Sequence, residues 1–408
     1  MAHAAPAALA YLGDGEKELQ ATFGALVAEA VALCAPPAAP TRPPRQGEKI
    51  RVGFASAFFR DHVNWRMPMS GWVKNLDRRR FDVFGYSLGD LRDDATAAAQ
   101  AVCTRFTHGR RPVSEWRERI LHDAPHVLIY PGLWLDDQSH LLGAQRLAPL
   151  QCASWGNPTT TGLPTIDAYL SCAAMEPADA STHYTETLVA LPGLSSPIAT
   201  PVRRDAGPSR EALGLREDVP VFWVGHAPAK FLPRHDEVLA RIAARVPRAQ
   251  FIFTRLVEVV GGDIRFMERI DRAFSRFGLN SRDRCVFLPP TGPEAFRARM
   301  GVADLYLDCL DWSGFNTTID ALAHDLPIVC SPGASMRARH TAGMLSLMGL
   351  GDLVAPDAGA YVEAAVALAG DRDRRAAQRR RIASAKAMLF DDRSAISALE
   401  DFIANRFR

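Results

Sequence analysis

The sequence predicts an α/β fold built from two doubly wound parallel sheets. Short apolar runs alternate with amphipathic stretches over residues 49–200, and the same alternation returns over residues 219–408. A Pro- and Gly-containing connection, residues 201–218, separates the two series. Strands that alternate with helices are typical of parallel sheets covered on both faces. Ligands of such sheets bind beyond the carboxyl ends of the strands, so we expect a cleft there between two domains.

Size and composition agree with this organisation. The chain has 408 residues, which is long enough for two domains of ordinary size. Hydrophobic residues make up 48% and charged residues 23%, as in a soluble globular protein. No apolar run reaches the roughly 20 residues that a membrane span needs. The N-terminus lacks a basic start followed by an apolar core, so no secretory signal is predicted.

Charge and cysteine content narrow the class of protein. A net charge of +2 and the absence of basic runs interleaved with aromatics argue against nucleic-acid binding. The seven cysteines include no C-x-x-C pair, which favours free thiols and a cytoplasmic location. Only five of the 48 basic residues are lysines, a bias typical of GC-rich bacterial genes. A lysine in a structured turn, such as Lys230, is therefore conspicuous.

The elements are predicted in chain order. Residues 1–48 hold one helix, Glu16–Cys34, and a proline-rich linker. Strands of the first domain are expected at Ile50–Ser56, Phe81–Ser87, His126–Pro131, Gln151–Trp155, Ala168–Ser171 and Thr187–Leu191, with helices at Met67–Leu76, Asp93–Val102, Val113–Asp123 and Gln138–Arg146. Strands of the second are expected at Val219–Val224, Gln250–Thr254, Arg284–Leu288, Leu305–Cys309 and Pro327–Ser331, with helices at Arg234–Val246, Ile264–Phe277, Glu294–Met300, Thr317–His324 and Arg337–Met348 and a mainly helical tail.

The segment LYLDCLDWSGFNTTIDALAHDLPIVCSPG reads as a strand, a turn, a helix and a strand. Gly314 lets backbone approach a ligand, and Asn316, Thr317 and Thr318 bring polar groups to a helix N-terminus. Free amides and the positive end of the helix dipole suit a phosphate. The same residue types are also common helix caps, so both interpretations stay open at this point. Asp320 either accepts hydrogen bonds from ribose hydroxyls or interacts favourably, through its negative charge, with the dipole of this helix.

Two loops offer a histidine and a lysine. F-R-D-H-V-N-W follows the first strand, and its His62 is a candidate catalytic residue, with Asp61 and Trp65 beside it. A structural histidine is the alternative. H-A-P-A-K-F-L-P follows the first strand of the second series, where Lys230 offers a point charge for a diphosphate or is a solvated lysine before a helix.

Two further loops are candidates for contacts. S-W-G-N-P-T-T-T-G offers Asn157, Thr160 and Thr161 to an acceptor or forms an ordinary turn. P-P-T-G-P-E-A-F brings Thr291 and Phe296 to a position where they could contact the flat base of a nucleotide, although Phe296 suits a position in the apolar core equally well.

No metal site is predicted. Asp308 and Asp311 are spaced like a metal pair, but Asp308 lies on an apolar strand. We therefore expect neither a metal nor a cofactor.

These motifs together resemble a known family. Four segments carry the resemblance: RVGFASAFFRDH, LAPLQCASWGNPTTTG, AKFLPRHDEVLARIAARVP and LYLDCLDWSGFNTTIDALAHDLPIVCSPG. They make the chain from Ile50 to Asn405 similar to the catalytic region of the O-linked N-acetylglucosamine transferase and SPINDLY family. The resemblance implies the GT-B glycosyltransferase fold. It matches His62 to the active-site histidine, Lys230 to the lysine at the donor diphosphate, Thr317 and Thr318 to the paired threonines, and Asp320 to the ribose-binding aspartate.

The chain also departs from the family pattern. Val63 stands where the family commonly has proline after the histidine, and Trp65 or Arg66 replaces a second histidine. Pro293 and Phe296 stand where the animal enzymes have lysine and histidine near the uracil. The helical repeats that usually precede the catalytic region in this family are not recognised in this sequence, except for the one N-terminal helix.

The resemblance implies an inverting, metal-independent transfer of a sugar, N-acetylglucosamine from its UDP donor, to a Ser or Thr hydroxyl of a protein. The expected partners are a nucleotide-sugar donor and a protein acceptor, with no nucleic acid and no membrane; the oligomeric state stays open. Three alternatives remain: a fucosyl- or glucosyltransferase of the same fold, with GDP or UDP donors and either a hydroxyl or an asparagine acceptor; a non-catalytic nucleotide-sugar binding module; and an epimerase.

Overall fold

The protein divides into two compact units. The structure, a computed structural model, describes residues 6–11, 13, 15–38, 41–203, 207–255 and 262–408. The first unit comprises Met1–Ala199 together with Asp391–Arg408, and the second comprises Thr200–Phe390. Residues 39–40 of the predicted proline-rich linker and 204–206 of the predicted interdomain connection lie outside the described residues.

The first unit is built on seven strands: β1 (Ile50–Ser56), β2 (Phe81–Ser87), β3 (Arg105–His108), β4 (Val127–Tyr130), β5 (Leu150–Ser154), β6 (Ala168–Cys172) and β7 (Thr187–Leu191). All pairs are parallel, in the order β3-β2-β1-β4-β5-β6-β7. Its first five helices are α1 (Lys17–Cys34), α2 (Ser70–Asn75), α3 (Asp94–Val102), α4 (Val113–Asp123) and α5 (Ser139–Gly143). The strand order reverses between β1 and β4, which makes that point a natural ligand position.

The second unit is built on β8 (Val221–Trp223), β9 (Gln250–Thr254), β10 (Cys285–Leu288), β11 (Leu305–Leu307) and β12 (Ile328–Val329). The order is β10-β9-β8-β11-β12, again parallel throughout. Its helices are α6 (Asp236–Arg245), α7 (Gly262–Ser275), α8 (Pro293–Met300), α9 (Asn316–Ala323), α10 (His340–Leu347), α11 (Ala358–Gly370) and α12 (Arg372–Ala385). Here the order reverses between β8 and β11.

The last helix, α13 (Ser394–Asn405), corrects the predicted domain boundary. We expected the second domain to run to residue 408, but Asp391–Arg408 belongs to the first unit. Ile396, Leu399 and Ile403 join the apolar core of that unit, and Glu400 accepts a hydrogen bond from the backbone N–H of Asp77 at 2.7 Å. The apolar stripe of α13 therefore covers the first sheet, an attachment that chain order does not reveal.

Two other predictions about the first unit are wrong. The short edge strand β3 was not predicted, because it has no apolar run and its residues are at least partly exposed. The helix predicted over Met67–Leu76 begins only at Ser70. Before it lies an irregular turn, Trp65–Met69, in which Met67 is extended and the Met67–Pro68 peptide bond is cis. Proline lacks the N–H that a continuing helix would need.

Two findings concern the described chain as a whole. All seven cysteines are free thiols, and four of them are buried. The described part of the chain contains no helix with the length and apolar character that crossing a membrane requires.

Candidate functional site

The reversal point of the second sheet brings two of the predicted loops together. β8 and β11 are neighbours in the sheet, so the residues that follow them leave the same edge side by side. Lys230 follows β8, and Trp312 follows β11. The Lys230 Nζ lies 5.5 Å from the centroid of the Trp312 ring, and the Cys309 thiol lies 3.2 Å from the Lys230 carbonyl oxygen. Lys230 and the turn before α9 thus form one site.

The ammonium group of Lys230 is partly buried and lacks a counter-ion within hydrogen-bonding distance. Among the described residues it makes no hydrogen bond or ion pair, and its Nζ lies over the face of the Trp312 ring. Burial lowers the pKa of Lys230 from its ordinary value, while Cys309 and Asp308 act in the opposite direction. Because a cation away from water gains from an anionic partner, this position favours binding of an anion.

Asp308 is the buried carboxylate that organises the turn. Its oxygens accept hydrogen bonds from the Ser313 hydroxyl at 2.6 Å and from the Gly314 backbone N–H at 2.7 Å. Burial raises its pKa to about 6, against the effect of these donors. Asp308 was not predicted to bind a metal, and this stays a prediction; among the described residues, no group of three or more His, Cys, Asp or Glu side chains is arranged to hold a metal ion. Asp308 instead fixes the backbone that leads into α9.

Gly314 is needed because the turn is crowded. A Cβ at this position would lie 2.1 Å from the Thr317 Oγ1, 2.3 Å from the Tyr306 hydroxyl and 2.8 Å from the His226 Cε1. Backbone there approaches polar groups rather than open space. Burial, with a contribution from the charge of Lys230, lowers the pKa of His226 to about 3, so its imidazole is neutral.

The start of α9 separates the two threonines that the sequence analysis grouped. Thr318 is fully buried, and its hydroxyl donates to the Gly314 carbonyl at 2.6 Å. Asn316 and Thr317 are partly exposed. The residue in the N-cap position is Phe315, whose side chain has no hydrogen-bond acceptor and makes no capping hydrogen bond. Within the described residues, the side chain in the N-cap position does not cap this helix, so the capping interpretation is wrong for α9.

Three predicted nucleotide contacts stay predictions. Asp320 is the fifth residue of α9, beyond its first turn, and is partly buried. Thr291 and Phe296 lie at the entrance to α8, and both are partly buried. The Phe296 ring packs edge-on against Trp223, with centroids 5.2 Å apart, so it serves the core at least in part.

His62, in the first unit, follows β1 as expected, at the reversal point of that sheet. Its ring stacks on Phe58 with centroids 4.3 Å apart, and its Nδ1 accepts the backbone N–H of Asn64 at 3.2 Å. Burial, helped by Arg60 and Arg66, lowers the pKa of His62 to about 4. A neutral imidazole that accepts at Nδ1 carries its proton on Nε2, so His62 presents a hydrogen-bond donor rather than a base.

The neighbours of His62 hold the loop. The Asp61 carboxylate accepts from the Arg66 Nε at 2.8 Å, and the Asp61 backbone N–H donates to Asp93 at 2.6 Å. Asp93 also caps α3. Trp65 is buried and packs against Phe59. The loop after β1 is thus anchored at both ends, which leaves the acceptor-side roles of Asp61 and Trp65 as predictions.

The loop 154–162 corrects an expectation. The Thr160 hydroxyl donates to Glu186 at 2.7 Å, and the Thr161 backbone N–H donates to the same carboxylate at 2.8 Å, with its hydroxyl also in contact. Both threonines are 2% exposed. Asn157 is buried as well and donates to the Leu133 carbonyl at 3.1 Å. These hydrogen bonds hold the loop together and use the hydroxyls of both threonines, whereas the acceptor contact of Asn157 stays a prediction.

Three residues that were not predicted from the sequence also lie around the site in the second unit. Tyr306 lies on β11, and Thr341 lies in the first turn of α10; the hydroxyls of both contact threonines at the start of α9. Arg337 is buried, with its guanidinium 5.8 Å from the Trp312 ring centroid. Tyr306 reads as an ordinary strand residue, and Arg337 as one arginine among many, so neither gave a signal.

The chain is similar in sequence to known glycosyltransferases. The model of glycosyl transferase family 41 matches residues 9–194 and 207–399. A protein of Solanum lycopersicum described as a probable UDP-N-acetylglucosamine–peptide N-acetylglucosaminyltransferase SPINDLY is 32% identical over 232 residues, which cover 56% of this chain and 24% of the relative. The Arabidopsis thaliana protein SEC, described as the same kind of probable transferase, is 23% identical over 358 residues, 79% of this chain and 33% of the relative. The chain spans about a quarter to a third of these relatives.

A solved structure shows the same fold. A variant of the O-GlcNAc transferase of Thermobaculum terrenum superposes with a TM-score of 0.80 and 23% identity, over 94% of this chain and 73% of that one. The α/β fold of GT-B type is confirmed, as is the resemblance to the O-linked N-acetylglucosamine transferase and SPINDLY family.

Proposed function

The chain belongs to glycosyl transferase family 41, and we propose that it transfers N-acetylglucosamine from a UDP donor to a Ser or Thr hydroxyl of a polypeptide. The observation that carries the proposal is Lys230, a partly buried ammonium without a counter-ion among the described residues, next to the turn that leads into α9. A nucleoside diphosphate fits such a position, because its charge meets both a cation and the positive end of the α9 dipole. The descriptions of the relatives supply the sugar and the acceptor class.

The chemistry requires stabilisation of a leaving group. When the acceptor oxygen bonds to the anomeric carbon, the bond from that carbon to the diphosphate oxygen breaks, and negative charge grows on the diphosphate. Lys230, the Thr317 hydroxyl and the amides at the start of α9 would meet that charge as preorganised donors. Donors of this type lower a barrier by roughly 3 to 4 kcal/mol each in the best cases. Attack opposite the leaving diphosphate inverts the anomeric centre, and in this proposal the protein cation takes the place of a metal.

His62 would position the acceptor or the sugar rather than take a proton. Its Nδ1 accepts the backbone N–H of Asn64, and the resulting Nε2–H is a donor. A donor in that position suits a hydroxyl or acetamido oxygen of the sugar, or an acceptor carbonyl. This role predicts a loss of activity on substitution without the acid limb in the pH profile that a general base would give.

The proposal is tested by a donor panel. UDP-N-acetylglucosamine, UDP-glucose and GDP-fucose are offered with acceptor peptides that carry Ser, Thr or Asn, and nucleotide release and peptide mass are measured. We expect turnover with UDP-N-acetylglucosamine and a Ser or Thr peptide. Preferred use of GDP-fucose or of an asparagine peptide would replace the proposal with the alternative transferase. UDP binding without any turnover would favour a binding module.

A variant pair tests the role of the lysine. Lys230→Ala is expected to lower kcat by about a hundredfold or more, because a donor to the leaving group is lost. The exposed Lys49 serves as the matched control, and Lys49→Ala should keep full activity. Both variants should melt at the temperature of the wild type. Near-normal transfer by Lys230→Ala would exclude the leaving-group role.

A further inference from the structure

The phenol of Tyr306 has four polar neighbours around the start of α9. Its hydroxyl lies 3.0 Å from the Thr317 Oγ1, 3.2 Å from the Thr318 Oγ1, 3.2 Å from the His226 Nε2 and 3.3 Å from the Asp308 Oδ1. Tyr306 itself is fully buried. A phenol has one hydrogen, so Tyr306 donates in only one of these contacts at a time. Which one it uses decides how the neighbouring hydroxyls point.

Two of the four neighbours are satisfied without Tyr306. Asp308 accepts shorter hydrogen bonds from Ser313 at 2.6 Å and from the Gly314 N–H at 2.7 Å. Thr318 donates to the Gly314 carbonyl at 2.6 Å and has the Thr341 hydroxyl at 2.7 Å. Each of these bonds is shorter than the contact of the same residue with Tyr306. The hydrogen of Tyr306 is therefore not required by either of them.

Thr317 is in a different position. Its contact with Tyr306 is the shortest of the four, and within the described ranges Tyr306 is the one hydrogen-bonding partner of its hydroxyl. Thr317 is also partly exposed, whereas Thr318 is fully buried. The hydroxyl of Thr317 thus has the buried phenol on one side and an approach for a ligand on the other.

We propose that Tyr306 is a positioning residue that turns the Thr317 hydroxyl toward the diphosphate of a nucleotide ligand. The proposal rests on the proposed function, which brings a diphosphate to the start of α9. Phosphate oxygens only accept hydrogen bonds, so Thr317 must donate to the ligand. Its contact with Tyr306 must then use the phenol hydrogen, with Tyr306 donating to the Thr317 Oγ1. Two hydrogen bonds in series run from the phenol to the phosphate, and each polarises the next.

Gly314 keeps the space that this arrangement needs. A Cβ on Gly314 would lie within 2.3 Å of both the Tyr306 hydroxyl and the Thr317 Oγ1, inside the contact between them. The glycine therefore allows the phenol and the threonine to meet directly.

The experiment is a double-mutant cycle read by binding of UDP. Tyr306→Phe removes the donor, and Thr317→Ala removes the hydroxyl on which it acts. Each single variant is expected to bind UDP about tenfold more weakly in calorimetry, as the loss of one hydrogen bond predicts. The double variant should bind no more weakly than Thr317→Ala alone, because Tyr306 acts through Thr317. A purely structural tyrosine would give additive losses.

Tyr361 provides the matched control. It is another buried tyrosine of the second unit, and its hydroxyl donates to the Asp308 carbonyl at 2.8 Å. Tyr361→Phe should keep the UDP affinity of the wild type while losing a comparable buried hydrogen bond. Tyr306→Met, which also fills the space without a hydroxyl, gives the same measurement if Tyr306→Phe lowers the melting temperature.

The outcomes separate this inference from the proposed function. Additive losses in the double variant, or an unchanged UDP affinity in both Tyr306 variants, would overturn the role of Tyr306 and leave the transferase proposal standing. Absence of UDP binding by the wild-type chain would overturn both. A non-additive cycle, with UDP bound by the wild type, supports the positioning role.

Discussion

Two loops of the molecule carry consecutive threonines after a strand, and they use them in opposite ways. In the first unit, Thr160 and Thr161 turn inward and donate to the buried carboxylate of Glu186. In the second unit, Thr318 turns inward, but Thr317 stays partly exposed at the start of α9. The residue types are the same, and the difference lies in what the rest of the chain brings to them.

A buried carboxylate lies next to each pair of threonines, and its position decides which hydroxyls remain for a ligand. Glu186 takes the threonine hydroxyls themselves, so none is left for a ligand. Asp308 takes the Ser313 hydroxyl and the Gly314 amide instead, and so fixes the turn without using the Thr317 hydroxyl. A polar motif at the end of a strand therefore indicates a binding site only when its own structural hydrogen bonds are supplied by other groups.

Removal of Glu186 should give the largest effect on this comparison. Glu186→Ala leaves buried donors of Thr160 and Thr161 unpaired, and we expect the free energy of unfolding of the first unit to fall by about 3 kcal/mol. Urea unfolding followed by circular dichroism measures this. Glu186→Gln, which keeps one acceptor oxygen, should lose less. UDP affinity should not change in either variant; a loss of UDP binding with unchanged stability would reverse the roles assigned to the two loops.

The buried histidines near the second loop predict acid sensitivity. Burial lowers the pKa of His226 and of His340 to about 3, below the value near 6.5 of the unfolded chain. Because the unfolded state binds more protons, the stability that each neutral histidine contributes is complete above pH 6.5 and declines as the pH falls from 6.5 toward 3. The decline is about 1.4 kcal/mol per pH unit for each histidine.

His226→Gln tests this pH dependence. Unfolding free energies at pH 8 and pH 5 should differ less in this variant than in the wild type, by about 2 kcal/mol. The exposed His122 provides the control, since His122→Gln should keep the difference of the wild type. An equal acid loss in wild type and His226→Gln would mean that His226 is not held neutral by burial.

Paired Thr→Val substitutions give the smallest and most selective effect. Thr160→Val removes a hydroxyl that donates to Glu186, so stability should fall by about 1 kcal/mol with UDP binding unchanged. Thr317→Val should show the opposite, with little change in stability and a UDP affinity about tenfold lower. Thermal unfolding measures the stability of both variants, and calorimetry measures their UDP affinity. Similar behaviour of the two variants would remove the distinction between the loops.

Much of the architecture was predictable because its signals are local in the chain. β1, β2, β7 and β9 have the bounds that their apolar runs indicated. The edge strand β3 has no such run and was missed, and Pro68 broke a predicted helix by removing a backbone donor. The neighbouring positions of Lys230 and the turn before α9 were also expected, because both follow strands of one parallel sheet.

By itself, the sequence determined the two parallel sheets, the family, and the loops that leave the strands at their carboxyl ends. Only the tertiary structure decided which polar side chains in those loops are left for a ligand, and that α13 closes the first unit. The physical reason is that hydrogen-bond partners are set by proximity in space: Glu186 meets Thr160 from 26 residues further along the chain, and Tyr306 reaches Thr317 across a turn. The pattern of residue types along the chain does not indicate these hydrogen-bond contacts, because each of them depends on how separate elements pack.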